Sequence, residues 1–280
     1  IKAGARPSVI RLFTMKNSLI LVLLLSLPTF AEEASAPKPS FFPADDLIAL
    51  DIFTDTGNIS VQAADIKEIK VEAIDAERKK KCDVSMTIAN KRLILRVRSQ
   101  MGQWLSKGVC PAGFKVRAPA RFALSAASGT GDIEVTGLRG ELTLDNGTGD
   151  IRVGDVTGAL TARTGTGDIL GDARSEEVEA LTGSGAVKLT KLTGSAEVKT
   201  GSGDVTLSWS KLPGKGAADV KTGSGGIALV FPEGSKITTK SYTASGKVFN
   251  EVGDTENAQF SVSLLSGSGN VSIRKPGRKP

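Results

Sequence analysis

No histidine occurs anywhere in the 280 residues. Ser-His-Asp and Cys-His nucleophilic sites and histidine-ligated zinc all need an imidazole, so these classes are excluded at the outset. Aromatic residues are scarce, at 5% of the chain. Between Gly129 and Ile273 the aromatics are Trp209, Phe231, Tyr242, Phe249 and Phe260, too few for the stacking platforms of an extended sugar groove. Apolar runs are short. The longest, Leu19–Leu27, has nine residues, and at about 1.5 Å rise per residue it cannot cross a hydrocarbon layer of roughly 30 Å. Cysteine is limited to Cys82 and Cys110, with no Cys-x-x-Cys pair that would suit a redox catalyst.

The same nine-residue run is informative in another way. Met15 and Lys16 precede it, and Pro28 followed by Thr29-Phe30-Ala31 places small residues at the −3 and −1 positions of a cleavage site. This is the layout of a secretory signal peptide, with cleavage expected after Ala31 and residues 1–14 read as upstream translation. Removal of that segment takes away four basic residues and no acidic ones, which leaves 32 basic against 30 acidic residues, a net charge of +2. The basic isoelectric point is therefore no argument for nucleic acid, and none is expected as a partner. In an oxidising compartment an even cysteine count favours a Cys82–Cys110 disulfide, and a loop of that size closed by it stabilises by roughly 4 kcal/mol.

What the chain does have is glycine, in a phrase of the form Gly-Thr/Ser-Gly-x-Ile/Val. Copies begin at Gly129, Gly147, Gly165, Gly183 and Gly201, each 18 residues after the last. Further copies at Gly223, Ala244 and Gly267 follow at 22, 21 and 23 residues. A fixed period near 20 marks a solenoid of stacked units. Within each unit the apolar residues alternate, as strands require. Ile133, Ile151, Ile169, Val187, Val205, Ile227, Val248 and Val271 share one column, and Leu142, Leu160, Val178, Ala196 and Ala218 another. The expected fold is all-β: a parallel β-solenoid of roughly 18–23 residues per coil with an irregular N-terminal β region. The expected organisation is signal peptide 15–31, linker 32–44, N-terminal β cap 45–128, solenoid 129–274 and a basic tail 275–280.

The glycines Gly129 and Gly131, Gly147 and Gly149, Gly165 and Gly167, Gly183 and Gly185, Gly201 and Gly203, and Gly267 and Gly269 are read as corners. Glycine there supplies positive φ and lets one backbone approach the next. The middle Thr or Ser is expected to hydrogen-bond turn amides, and Asp132, Asp150, Asp168 and Asp204 to accept from a corner N–H. Phosphate binding is discarded because a strand, not a helix, follows each loop. A calcium-organised roll is an alternative. Its aspartate column, however, is broken by Ala186, Gly226 and Lys247, and the spacing is not that of the calcium repeat. A surface carbohydrate-active enzyme is the other alternative, with a groove expected along the insertions Ser210–Thr222, Pro232–Thr243 and Gly253–Ser266. Glu134 beside Arg152 is an expected cross-strand ion pair. No catalytic, cofactor or metal residue is assigned.

The stretch FKVRAPARFALSAASGTGDIEVTGLRGELTLDNGTGDIRV (Phe114–Val153) resembles the bacterial putative-adhesin family of β-strand-repeat proteins. Pro119-Ala120 leads into the glycine phrases in that family's order, and Asp55–Val61 (DTGNISV) is an early echo. The resemblance covers roughly residues 47–273. It implies a β-solenoid with an irregular β cap in exported or envelope-associated proteins, and it carries over no catalytic residues. The expectation is an exported, non-enzymatic envelope scaffold or adhesin-like binding module, partnered by an envelope protein or glycan. An exposed terminal coil would leave a sheet edge open to self-association.

Overall fold

A computed structural model describes residues 38–74, 82–99 and 110–277. The expected signal segment with Ala31, residues 32–37 of the linker, the basic run Arg78–Lys81 and the last three residues lie outside these. The described residues form strands and turns with no helix among them. They build one 12-stranded and one 11-stranded sheet.

Most strands belong to two-strand coils, the first strand in one sheet and the second in the other. In chain order these are coil 1 (Ala49–Thr54, Ile59–Ala63), coil 2 (Arg92–Ser99, Gly113–Ala118), coil 3 (Ala123–Thr130, Ile133–Thr136) and coil 4 (Leu142–Thr148, Ile151–Thr157). Then come coil 5 (Leu160–Thr166, Ile169–Arg174), coil 6 (Glu177–Ser184, Val187–Leu192) and coil 7 (Ser195–Ser202, Val205–Trp209). The last are coil 8 (Gly216–Ser224, Ile227–Val230), coil 9 (Ile237–Ser245, Val248–Asn250) and coil 10 (Phe260–Ser268, Val271–Arg274). Neighbouring coils pair in parallel, and an 18-residue step separates partners such as Leu142 and Leu160 or Ile151 and Ile169. Inward-facing residues of both sheets, among them Ile133, Leu144, Ile169, Val198 and Leu207, are at most 1% exposed and form one continuous core.

The stack does not follow chain order at either end. Coil 1 lies between coils 2 and 3, and coil 10 lies between coils 8 and 9. At the C-terminal end the side chains explain the inversion. Coil 10 turns Phe260, Val262 and Leu264 inward, each 2% exposed. Beyond Ile237, coil 9 offers Thr239, Ser241 and Thr243 at the equivalent positions, all half-buried. Burying the apolar coil and leaving the hydroxyl-lined one outermost removes more apolar surface from water than the reverse order. Val248 keeps its expected column, opposite Val271, yet remains 46% exposed because none of the described strands stacks beyond it.

At the N-terminal end, antiparallel strands close the sheets. Glu68–Ile74 pairs with Gly113–Ala118, and Cys82–Ala89 pairs with Arg92–Ser99. Ser40–Pro43, in the stretch expected to be linker, adds a further antiparallel strand because Phe42 packs against the core while Phe41 faces out. Cys82 and Cys110 form a disulfide with a Cα–Cα distance of 5.4 Å.

Corner ladders and a candidate binding cleft

In coils 3 to 8 and in coil 10 the first strand passes to its second through the Gly-x-Gly corner. The second glycines, Gly131, Gly149, Gly167, Gly185, Gly203 and Gly269, have φ between +126° and +150°, a region that L side chains avoid. Space enforces glycine as strongly as angle does. A Cβ at Gly185 would lie 2.0 Å from the carbonyl oxygen of Gly167, one coil back. The first glycines, Gly129, Gly147, Gly165, Gly183, Gly201 and Gly267, are also too tight for a side chain; a Cβ at Gly183 would meet the Gly165 oxygen at 2.5 Å.

The aspartates bind amides in the next coil. Asp132 Oδ1 accepts from the Asp150 N–H at 2.9 Å, Asp150 from Asp168 at 2.8 Å, and Asp168 from Ala186 at 2.7 Å. Asp204 accepts from Gly226 at 2.7 Å. Two asparagines extend the row at the rearranged ends. Asn58 accepts from Asp132, and Asn270 from Lys247, each in the coil stacked on it rather than the next in sequence. Arg152 also departs from expectation. Although Glu134 is its register partner, its guanidinium bridges Asp132 at 3.1 Å and Asp150 at 2.6 Å, where two carboxylates outbid one. Among the described residues, no cluster of three or more His, Cys, Asp or Glu side chains is placed to hold a metal ion.

The hydroxyls that fasten the corner are not those of the middle Thr or Ser, which are exposed. They come from the residue before the first glycine. Thr164, Thr182, Thr200 and Thr222 donate to the carbonyls of Gly149, Gly167, Gly185 and Gly203 at 3.0–3.1 Å. Asn146 and Ser266 do the same to Gly131 and Gly225. These side chains are 0–6% exposed, so the bonds give buried donors their partners. The signal was a polar residue at an inward position of an otherwise apolar alternation, as in Leu142, Leu144, Asn146.

The insertions after coil 7 converge. Three turns, 210–214, 232–236 and 255–259, enclose a cleft of about 610 Å³. Beneath it Trp209 stacks on Phe231 with ring centroids 4.7 Å apart, and Phe260 meets both rings edge-on at 5.9 and 6.0 Å. The Trp209 indole N–H is satisfied by the Gly194 carbonyl at 2.9 Å. Pro232 and Ser235 close one turn, whose hydroxyl and N–H both point to the Pro232 oxygen. Lys211, Glu233, Lys236, Glu256 and Gln259 present exposed charge and amide around the opening. The groove expected along the insertions is present, and it lies over an aromatic plug.

The family model described as Toastrack DUF4097 matches residues 47–275. No curated protein matches the chain. Among solved structures it is similar to a putative adhesin from Bacteroides fragilis NCTC 9343, at 13% identity and TM-score 0.53, covering 85% of this chain and 96% of that one. A putative adhesin from Parabacteroides distasonis ATCC 8503 matches at 12% identity and TM-score 0.46, over 85% and 96% of the two chains. A putative lipid binding protein from the same organism matches at 11% identity and TM-score 0.42, over 86% and 98%.

Proposed function

The chain belongs to the Toastrack DUF4097 family, and from that premise we propose an exported, non-enzymatic module of the cell envelope that binds or scaffolds as an adhesin does. Residues 45–128 close the array 129–274 at its N-terminal end, and the partner meets the cleft of the long turns. That cleft carries the reading. Coils 3 to 7 are joined by short turns, and their corner groups are consumed in holding coil to coil. The three long turns break the repeat and gather exposed polar side chains over a rigid aromatic floor. The Cys82–Cys110 bridge supports residence in an oxidising compartment.

The test is protease treatment of intact and of lysed cells, with sequencing of the mature N-terminus. The expected product starts at Glu32 and lies outside the cytoplasm; a cytoplasmic chain retaining residues 15–31 overturns the proposal. The carbohydrate-active alternative has one observation in its favour, that Glu233 and Glu256 both line the cleft. It predicts glycan hydrolysis or elimination that both Glu233→Gln and Glu256→Gln abolish, and the binding reading predicts none. The calcium-organised alternative is disfavoured by the aspartate Oδ1 atoms, which already accept backbone N–H groups.

A further inference from the structure

At the other end of the stack a trough of about 780 Å³ runs across the outer face of the first strands of coils 2, 1, 3, 4 and 5. Register sets its form. Arg96, Phe53, Ala127, Asp145 and Arg163 are successive cross-strand partners in one outward row. At about 4.8 Å per strand, four steps span roughly 19 Å. Ala127 and the first glycines of the adjoining corners, Gly129 and Gly147, leave the floor bare between a Phe53–Arg96 wall and an Asp145–Arg163 wall.

The two walls differ in electrostatic state. Arg163 is committed, to Glu179 at 2.8 Å and Asp145 at 3.9 Å. Arg96 and Arg98, both lining the trough, form no ion pair among the described residues. Arg96 lies over the Phe53 ring, Cζ 5.1 Å from its centroid, and its Nε is buried without a hydrogen-bond partner. A guanidinium with no carboxylate partner attracts an anion, which the exposed Arg98 and the half-buried Arg96 can meet from the trough. The acids that face this pair are Asp83, opposite Arg98 in register, Asp145 on the far wall, and Asp55, which has a partner already.

We propose that this trough binds an anionic saccharide of the uronic-acid type. Arg96 and Arg98 take the carboxylate in the fork geometry guanidinium favours. The bare floor beside the Arg96-capped Phe53 ring accepts a flat sugar face, and Asp145 accepts from hydroxyls. An acidic peptide fits less well. The floor is the middle of a sheet whose strands are paired on both sides, so no free backbone edge is offered for strand addition. The trough lies far along the stack from the long-turn cleft, and its failure would leave the reading of that cleft untouched.

The experiment is calorimetric titration of the mature chain with a short oligogalacturonate, a neutral maltooligosaccharide and polyglutamate. The expected result is oligogalacturonate binding that weakens with salt and falls about tenfold or more in Arg96→Gln/Arg98→Gln, since charge-assisted bonds are lost. Lys188→Gln, on the outer face of coil 6, leaves it unchanged. Arg98 is exposed, so Arg98→Gln alone carries the test if the double variant does not fold. Absence of oligogalacturonate binding, equal binding of the neutral sugar, tighter binding of polyglutamate, or insensitivity to Arg98→Gln overturns the proposal.

Discussion

Replacing Gly185 by alanine places one methyl group at the most crowded point of a repeating corner. The added Cβ would stand 2.0 Å from the Gly167 oxygen and 2.5 Å from its carbon, at a residue whose φ is +150°. Holding an L residue there costs about 1–3 kcal/mol in backbone strain. The overlap is with backbone on the neighbouring coil, so it cannot be relieved by a rotamer change. Coils 5 and 6 must separate, weakening contacts that include the Gly167 N–H bond to the Ser184 carbonyl at 2.9 Å, worth about 1 kcal/mol. The total is roughly 3 kcal/mol or more. With urea dependence of about 3 kcal/mol per molar for a chain of this size, the unfolding midpoint should fall by about 1 M. Gly214→Ala is the matched control, because a Cβ there meets nothing within 4 Å and its φ is not positive. That variant should be neutral or more stable by about 0.5 kcal/mol. Far-UV circular dichroism against urea reads both. An unchanged midpoint for Gly185→Ala, or equal losses at the two sites, would refute the corner reasoning.

Thr182→Val removes a hydroxyl that bonds the Gly167 carbonyl at 3.0 Å from a site 5% exposed; it should cost about 1–2 kcal/mol, whereas Thr182→Ser should recover most of that in the same melts. Asp172 is held below the usual carboxylate range by its hydrogen bonds to Lys191 and Thr190. Its folded pKa is lower than its unfolded one, so its contribution is present above the unfolded value and lost as pH falls through the folded value; Asp172→Asn should narrow the difference in melting temperature between pH 7 and pH 3, and an unaltered difference would count against the interaction. Reducing the Cys82–Cys110 bridge, 28 residues apart, should lower stability by roughly 4 kcal/mol, and Cys82→Ser/Cys110→Ser should then be indifferent to reductant.

The coils were legible because a corner that admits only glycine writes its own period. Once the period is known, Leu142, Leu160 and Val178 must share a face. Stacking order was less legible, because alternation identifies a coil without naming its neighbour. The clue lay in Thr239, Ser241 and Thr243, whose hydroxyls suit an outermost coil better than an interior one. The inward ladder from Asn146 to Ser266 was hidden by its resemblance to ordinary turn residues. The clefts arise from side chains distant in sequence. Arg96 and Arg163 line one trough across five paired strands, and Lys211 and Glu256 line one cleft only because three insertions fall on the same side of successive coils.

An envelope partner docking at the long-turn cleft is what the proposed function requires. A photo-crosslinking side chain placed at Lys211, inside that cleft, and separately at Lys188, on the plain face of coil 6, tests it in intact cells. The expected result is a discrete adduct with an envelope protein or glycan from position 211 and none from position 188. Equal labelling from both positions, or adducts with cytoplasmic components, would contradict it.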